Sequence, residues 1–237
     1  MFSVSPPSLA VREMLRLKGI DHSVVNLPPG THGGLLRFAG FRERTVPALL
    51  IDGRRIQRSR EISRLLDDLR PEPALFPSAN RGAVEEAERW GDEVFQDVPR
   101  RIFRWAAAHG QPVRRWLGAE VARIPAPGLV GALNVPIARR FARASGADAD
   151  AVRADLENLP SHLDRIEALI EEGTIGGERP NAADFQIASS VRALMGFEET
   201  HGLLPGRPAG ELALRLFPAF PGPLELGLPR EWLSAAR

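Results

Sequence analysis

The 237-residue chain is 43% apolar, enough to bury a core as one large domain or two small ones. Its 31 Lys and Arg stand against 30 Asp and Glu, and the formal net charge of +1 gives no electrostatic case for nucleic acid or an anionic membrane as a partner. Cysteine and tyrosine are both absent, which removes disulfides, thiolate metal sites, protein-thiol mechanisms and any phenolic acid, base or donor.

No basic start with an apolar run and cleavage site opens the chain, and no stretch approaches the roughly 18 apolar residues of a membrane span, so a cytoplasmic protein is expected. Arg139, Arg140 and Arg143 could form a local basic patch, but charge clusters on helices are usually solvated faces.

In chain order, Ser5-Pro6-Pro7-Ser8 leads into LAVREMLRLKG, where Val11, Met14 and Leu15 recur at helical spacing and Gly19 supplies a stop. Ser before Pro suits a cap followed by the first helical position. Ile20 to Leu27, with Val24 and Val25, reads as a short strand closed by Pro28-Pro29-Gly30. Thr31 to Arg44 is punctuated by glycine and holds one irregular helix. TVPALLI, from Thr45, is an apolar strand, Asp52-Gly53 a hairpin turn and RRIQ the partner strand. Ser59 then caps a helix with Ile62, Leu65, Leu66 and Leu69 on one face.

Pro71, Pro73 and Pro77 stiffen a connector, and the domain boundary falls there. Beyond it strand signals vanish. The helical candidates are AVEEAERWGDEVFQDV, RRIFRWAAAH after Pro99, PVRRWLGAEVARI, VPIARRFARA, and a long helix from Asp148 that Pro160 kinks. NAADFQIASSVRALM follows, with Asn181 and Asp184 forming a near capping box. FPAFPGPLELGLP, from Phe217, reads as an ordered tail on the surface.

Taken together, the S-P-x-S helix start, the V-P strand, the D-G hairpin, the serine before the next helix, the proline-rich connector and the all-helical remainder resemble the cytosolic glutathione transferase superfamily, of serine type. The resemblance covers the whole chain in order and is sharpest in VPALLIDGRRIQRSREISRLL. There Ile56 stands for the family's usual Leu and Arg58 for its usual Glu or Gln. NAADFQI resembles the family's (S/T)-x-A-D helix start. The fold this implies is an α/β thioredoxin-like, thiol-binding N-terminal domain, residues 1–72, followed by an all-α domain, residues 73–237. MFSV is short for the opening strand that the family places before Ser5, which implies a reduced strand or a start further upstream.

The resemblance also assigns roles. Val46 and Pro47 would share a cis bond that turns the Val46 backbone outward, to pair strand-fashion with the cysteinyl part of glutathione; the plainer reading is a proline at the start of an edge strand. Ser5, at the positive end of the first helix, would donate to the glutathione sulfur and stabilise its thiolate, with Ser8 the second candidate. Its plainer reading is a helix cap, worth about 1 kcal/mol. Ser59 would bind the γ-glutamyl carboxylate at the next helix start. Arg58 in place of an acid or amide would repel the γ-glutamyl ammonium, a loss of about 1.5 to 3 kcal/mol, or roughly ten- to a hundredfold in affinity. Either Gln57 shifts to compensate, or the thiol is a different one with an anionic or neutral anchor. His32 would face the glycyl carboxylate.

His22, His109, His162 and His201 share no metal-ligand spacing, and no metal is expected. Trp90, Phe95, Phe103 and Trp105 are available to line an electrophile pocket between the domains, though such aromatics are more often core. The function expected is thus a transferase that activates glutathione, or another small thiol, for attack on a hydrophobic electrophile, in a homodimer. The alternatives are a catalytically silent binding or interaction module, or a thiol-dependent isomerase, lyase or dehalogenase on the same scaffold.

Overall fold

A computed structural model describes residues 5–27, 32–117, 135–220 and 222–233. The opening residues MFSV and much of the helix candidate PVRRWLGAEVARI lie outside these. Helix α1, Pro6–Leu17, starts on a proline, whose ring presets φ where an N–H would be unpaired anyway. It buries Leu9, Ala10, Val11, Met14 and Leu15, and Gly19 at φ +59° turns the chain out of it.

Residues 20–27, expected as a strand, form neither strand nor helix. Val24 and Val25 are 41% and 69% exposed, so β-branched propensity has no buried face to act on. Helix α2, His32–Phe38, follows. Strands β1, Ala48–Ile51, and β2, Arg54–Gln57, pair antiparallel with Ala48 opposite Gln57 and Ile51 opposite Arg54. Asp52 and Gly53 both take positive φ, 48° and 76°, as a two-residue hairpin turn requires. Helix α3, Ser59–Leu69, leads into the proline-rich connector.

Lys18 ties these pieces together. Its side chain is fully buried, and its ammonium donates to Asp67 Oδ1 at 2.7 Å, Arg70 O at 2.6 Å and Pro73 O at 2.7 Å. Asp67 Oδ1 also accepts the N–H of Leu75 at 2.7 Å. Both the end of α1 and the connector are therefore fastened to α3 through one satisfied ion pair.

Helices α4, Arg81–Trp90, and α5, Asp97–His109, run on from one another through a π-turn at Gly91–Phe95. Pro99, expected to separate two helices, falls in the first turn of α5, where its missing N–H costs least. After α6, Gln111–Trp116, come α7, Val135–Ala144, and α8, Ala149–Glu171, which continues through Pro160 as a single element. Helix α9, Ala182–Met195, opens with a complete capping box: the Asn181 side chain accepts from the Asp184 N–H, and the Asp184 carboxylate accepts from the Asn181 N–H. Helices α10, Glu198–His201, and α11, Pro208–Leu216, complete the set.

Buried on almost every face, α9 packs against α1, α4 and α11. One continuous apolar cluster runs from Leu9 and Met14 in α1 through Phe95, Leu163 and Ile187 to Trp232. Gly91 makes this closeness possible, because a Cβ there would come within 2.8 Å of Ile187 Cγ1. Glu88, fully buried on α4, accepts from Ser63 Oγ at 2.7 Å and from Arg64 at 2.6 Å, joining α3 to α4. The segment from Phe217, expected to lie on the surface, is instead packed in. Phe217, Leu226 and Leu228 are buried, Phe197 bridges to Leu224, and the Glu199 carboxylate accepts from the N–H groups of Leu226, Gly227 and Leu228. Glu199 thus satisfies backbone donors that proline-broken chain cannot pair with itself. Among the described residues no helix is long and apolar enough to cross a membrane.

Candidate active site

Ser5 occupies the N-cap position of α1, and its carbonyl accepts from the N–H groups of Ser8 and Leu9, both at 3.0 Å. Its hydroxyl makes no capping bond. Instead Ser5 Oγ accepts from the hydroxyl of Ser8 at 3.2 Å, with Ser8 almost wholly buried beneath it. One proton of this hydroxyl pair is taken up between the two serines, and the other is left uncommitted at the positive end of a helix, where an anion is favoured.

The strand of interest begins at a loop held from behind. Gln57, at the end of β2 and 7% exposed, accepts from Glu43 N at 2.7 Å and donates to Glu43 O at 3.0 Å and Thr45 O at 3.2 Å. All three bonds fix residues 43–45, the approach to the Val46-Pro47 bond, which is cis. Pro47 is buried and Val46 half-buried. Neither the N–H nor the C=O of Val46 makes a backbone hydrogen bond among the described residues. The edge beside β1 therefore carries one donor and one acceptor that backbone pairing leaves open. Gln57, whose shift is one of the two alternatives that Arg58 leaves open, has its amide committed to the loop.

Ser59 is displaced by one position from its expected capping role. Arg58, at φ +67°, is the N-cap residue, and Ser59 is the first residue of α3. With Gln57 anchored to the loop, the chain turns at Arg58 and the helix starts one residue sooner. Ser59 is 2% exposed, and its hydroxyl has no hydrogen-bond partner among the described residues. It lies beside the first, unpaired N–H groups of the helix.

The Arg58 guanidinium does not stand as a bare charge. It reaches Glu43 Oε1 from Nε at 2.9 Å and from Nη2 at 2.7 Å, and this partner holds the Glu43 carboxyl below its usual range. Sequence reasoning missed Glu43, which lies in a glycine-punctuated loop fifteen residues before Arg58 and has no periodic pattern to mark it.

His32, the first residue of α2, is half-buried. Burial first, and then the Arg104 guanidinium, push its pKa down, so the ring is held toward its neutral form. His32 therefore sits where α2 meets α5 and α7, with Phe141 6.4 Å from its ring. The aromatics offered for an electrophile pocket are largely core. Phe95 is fully buried and stacks on Trp90 at 5.4 Å, and Trp105 packs on Trp232 at 4.9 Å. Phe103 stacks on Phe197 at 6.3 Å. Among the described residues no cluster of His, Asp and Glu is placed to hold a metal ion.

Residues 1–74 match the family model of the glutathione S-transferase N-terminal domain. The first part of the chain is thus similar to a glutathione S-transferase N-terminal domain. The whole chain, an α/β thioredoxin-like part followed by helices, has the glutathione transferase fold. A glutathione S-transferase from Rhodospirillum rubrum F11 superposes over 100% of this chain and 98% of its own, with a TM-score of 0.62 and 22% identity. The Tau class glutathione S-transferase of mango, Mangifera indica L., covers 98% of this chain and 92% of its own, with a TM-score of 0.55 and 16% identity. A maleylacetoacetate isomerase from Anaeromyxobacter dehalogenans 2CP-1, whose structure holds dicarboxyethyl glutathione and citrate in the active site, covers 100% and 92%, with a TM-score of 0.53 and 16% identity. No curated protein matches the sequence. Transferases and an isomerase thus share this glutathione transferase fold, and the fold does not choose between their chemistries.

Proposed function

We propose that the chain is a glutathione transferase-like enzyme that activates a small thiol, glutathione in the first instance, for attack on an electrophile. The thiol is held by residues 1–72, and the helices of residues 73–237 wall the electrophile side. Ser5 donates a hydrogen bond to the sulfur. When Ser8 donates to Ser5 Oγ, the Ser5 proton is free for the sulfur. A donor placed at a helix N-terminus stabilises the thiolate relative to the thiol and lowers its pKa. Val46 would hold the cysteinyl unit through its N–H and C=O, and Ser59 with the start of α3 would take the γ-glutamyl carboxylate. Glu43, poised on Arg58, supplies an acid beside the position where the family pattern has one, so the repulsion argued from Arg58 alone is offset within the ion pair. His32, held neutral, would meet the glycyl carboxylate as a hydrogen-bond donor rather than as a charge.

The observation that carries this reading is the Ser5 hydroxyl. A plain cap would accept from the N–H groups of α1, whereas this oxygen accepts from Ser8. Ser5→Ala is expected to lower turnover about tenfold or more, as removal of a transition-state donor does. Its cost in stability should be smaller than the roughly 1 kcal/mol of a true cap. Thermal melting with glutathione and other small thiols added in turn identifies the thiol, since a ligand of the folded state raises the midpoint. Full activity in Ser5→Ala, or no midpoint shift with any thiol, would overturn the proposal.

A further inference from the structure

Helix α5 presents one charged group that makes no ion pair among the described residues. Arg104 is half-buried, yet its guanidinium has no carboxylate and no hydrogen-bond acceptor among the described residues. The charges that act on it are of both signs: Arg100, one turn earlier on the same face, opposes its charge, and Asp97 at the start of the helix favours it without pairing with it. Every other arginine on the helix is provided for, with Arg100 on Asp97 at 2.8 Å and Arg101 bound through both prongs to Asp155. Burial and the Arg100 charge push the Arg104 pKa down to about 10, still high enough that the group is cationic at neutral pH. A half-buried guanidinium that no side chain of the fold pairs has its donors open to an anion arriving from solvent.

The location makes the choice of anion. Arg104 stands between the two parts of the chain, near the half-buried His32 and with Phe141, 45% exposed, beside that ring. A guanidinium is a planar fork that matches a carboxylate, and the apolar ring next to it suits the carbon skeleton attached. We propose that Arg104, backed by Arg100, docks a carboxylate on the electrophile, so that the substrate class is an anionic electrophile rather than a purely hydrophobic one. This assignment rests on the transferase reading above and narrows its electrophile.

Two acceptors that differ by one charge test it. Monoethyl fumarate and diethyl fumarate both take a thiolate at one alkene carbon, while the displaced π pair collects a proton from water at the other. In the wild-type protein, KM is expected to be lower for the monoester. Arg104→Gln should raise KM for the monoester about ten- to a hundredfold, leave KM for the diester within about twofold, and change kcat little for either. Arg104→Lys, which keeps the charge but loses the fork, should fall between. Equal effects of Arg104→Gln on both esters, or a wild-type protein indifferent to the charge, would overturn the assignment.

A measurement without thiol separates this proposal from the reading it rests on. Succinate, added against sodium chloride of equal ionic strength, should raise the melting midpoint of the wild-type protein saturably and leave that of Arg104→Gln unmoved. If succinate binds in this way but no fumarate ester is conjugated, the anion site stands and the transferase reading falls. If esters are conjugated but succinate shifts both proteins alike, the anion site falls and the transferase reading stands. Should Arg104→Gln fail to fold, Arg104→Lys carries both measurements.

Discussion

Gln57 holds the loop that presents Val46, and its replacement by Leu has a size set by the structure. The substitution keeps the approximate volume and removes three hydrogen bonds, at 2.7, 3.0 and 3.2 Å, from a residue only 7% exposed. At a net 0.5 to 1.5 kcal/mol each, the sum is about 1.5 to 4.5 kcal/mol. Water can reach part of this loop, because Thr45 is exposed and the Glu43 side chain 37% exposed, so the lower half of that range is expected. Urea unfolding should show a lower midpoint with an unchanged slope. Hydrogen exchange at the Glu43 amide should accelerate by about ten- to a hundredfold, since that N–H loses its acceptor and the loop opens locally. Gln57→Glu offers an internal control: its carboxylate still accepts from Glu43 N but faces two carbonyls with no donor, so it should show about two-thirds of the effect or more. An unchanged midpoint together with unchanged exchange at Glu43 would refute the idea that Gln57 places the ligand edge.

Lys18→Met should cost about 3 to 5 kcal/mol, because it strands Asp67 and two carbonyls that share one buried ammonium. A loss below about 1 kcal/mol in urea unfolding would mean that the connector is held by something else. The histidines give a pH signature. Burial is the leading cause that lowers the pKa of both His162, which lies 5.9 Å from the Trp90 ring and 5.8 Å from that of Phe95, and His32. A base with a depressed folded-state pKa binds its proton more readily when unfolded. The stability it contributes is complete above its unfolded value near 6.5 and is lost as pH falls through that value toward the folded one. The buried carboxyls of Glu88 and Asp184, raised by desolvation, act in the opposite sense, so the comparison is made by difference. Unfolding midpoints measured from pH 7.5 to pH 5 should fall less steeply in His162→Phe than in the wild-type protein, the remaining slope being the balance of His32 against the buried carboxyls; parallel slopes would remove His162 from the account.

The parts legible in the sequence share a physical basis, and so do the parts that were not. Helix α3 and the hairpin could be read because their signals are local: three-one-three spacing of Ile62, Leu65, Leu66 and Leu69, and an Asp-Gly pair that tolerates positive φ. The capping box at Asn181 is local in the same way. Ile20 to Leu27 failed as a strand because β-propensity measures fit to a half-buried surface, and Val24 and Val25 meet none. The tail from Phe217 was misjudged because its burial depends on Glu199, a carboxylate on a four-residue helix that no period marks.

The site divides along the same line. Ser5, Val46, Pro47 and Ser59 stand out because a serine, a proline or a helix start carries its chemistry in its own few residues. Glu43, Gln57 and Arg104 act through what lies opposite them in space, and their meaning exists only once the chain has folded. Arg58 shows what this costs an argument from sequence. Read alone it is a repulsive charge ten- to a hundredfold against the ligand; placed at φ +67° and bound to Glu43 at 2.7 Å, it is half of an ion pair whose acid faces the same question. A departure from a family pattern is therefore weighed with the residue that folding brings to it. For Arg58 that residue keeps a carboxylate near the start of α3, although Gln57, adjacent in sequence, is spent on holding the loop.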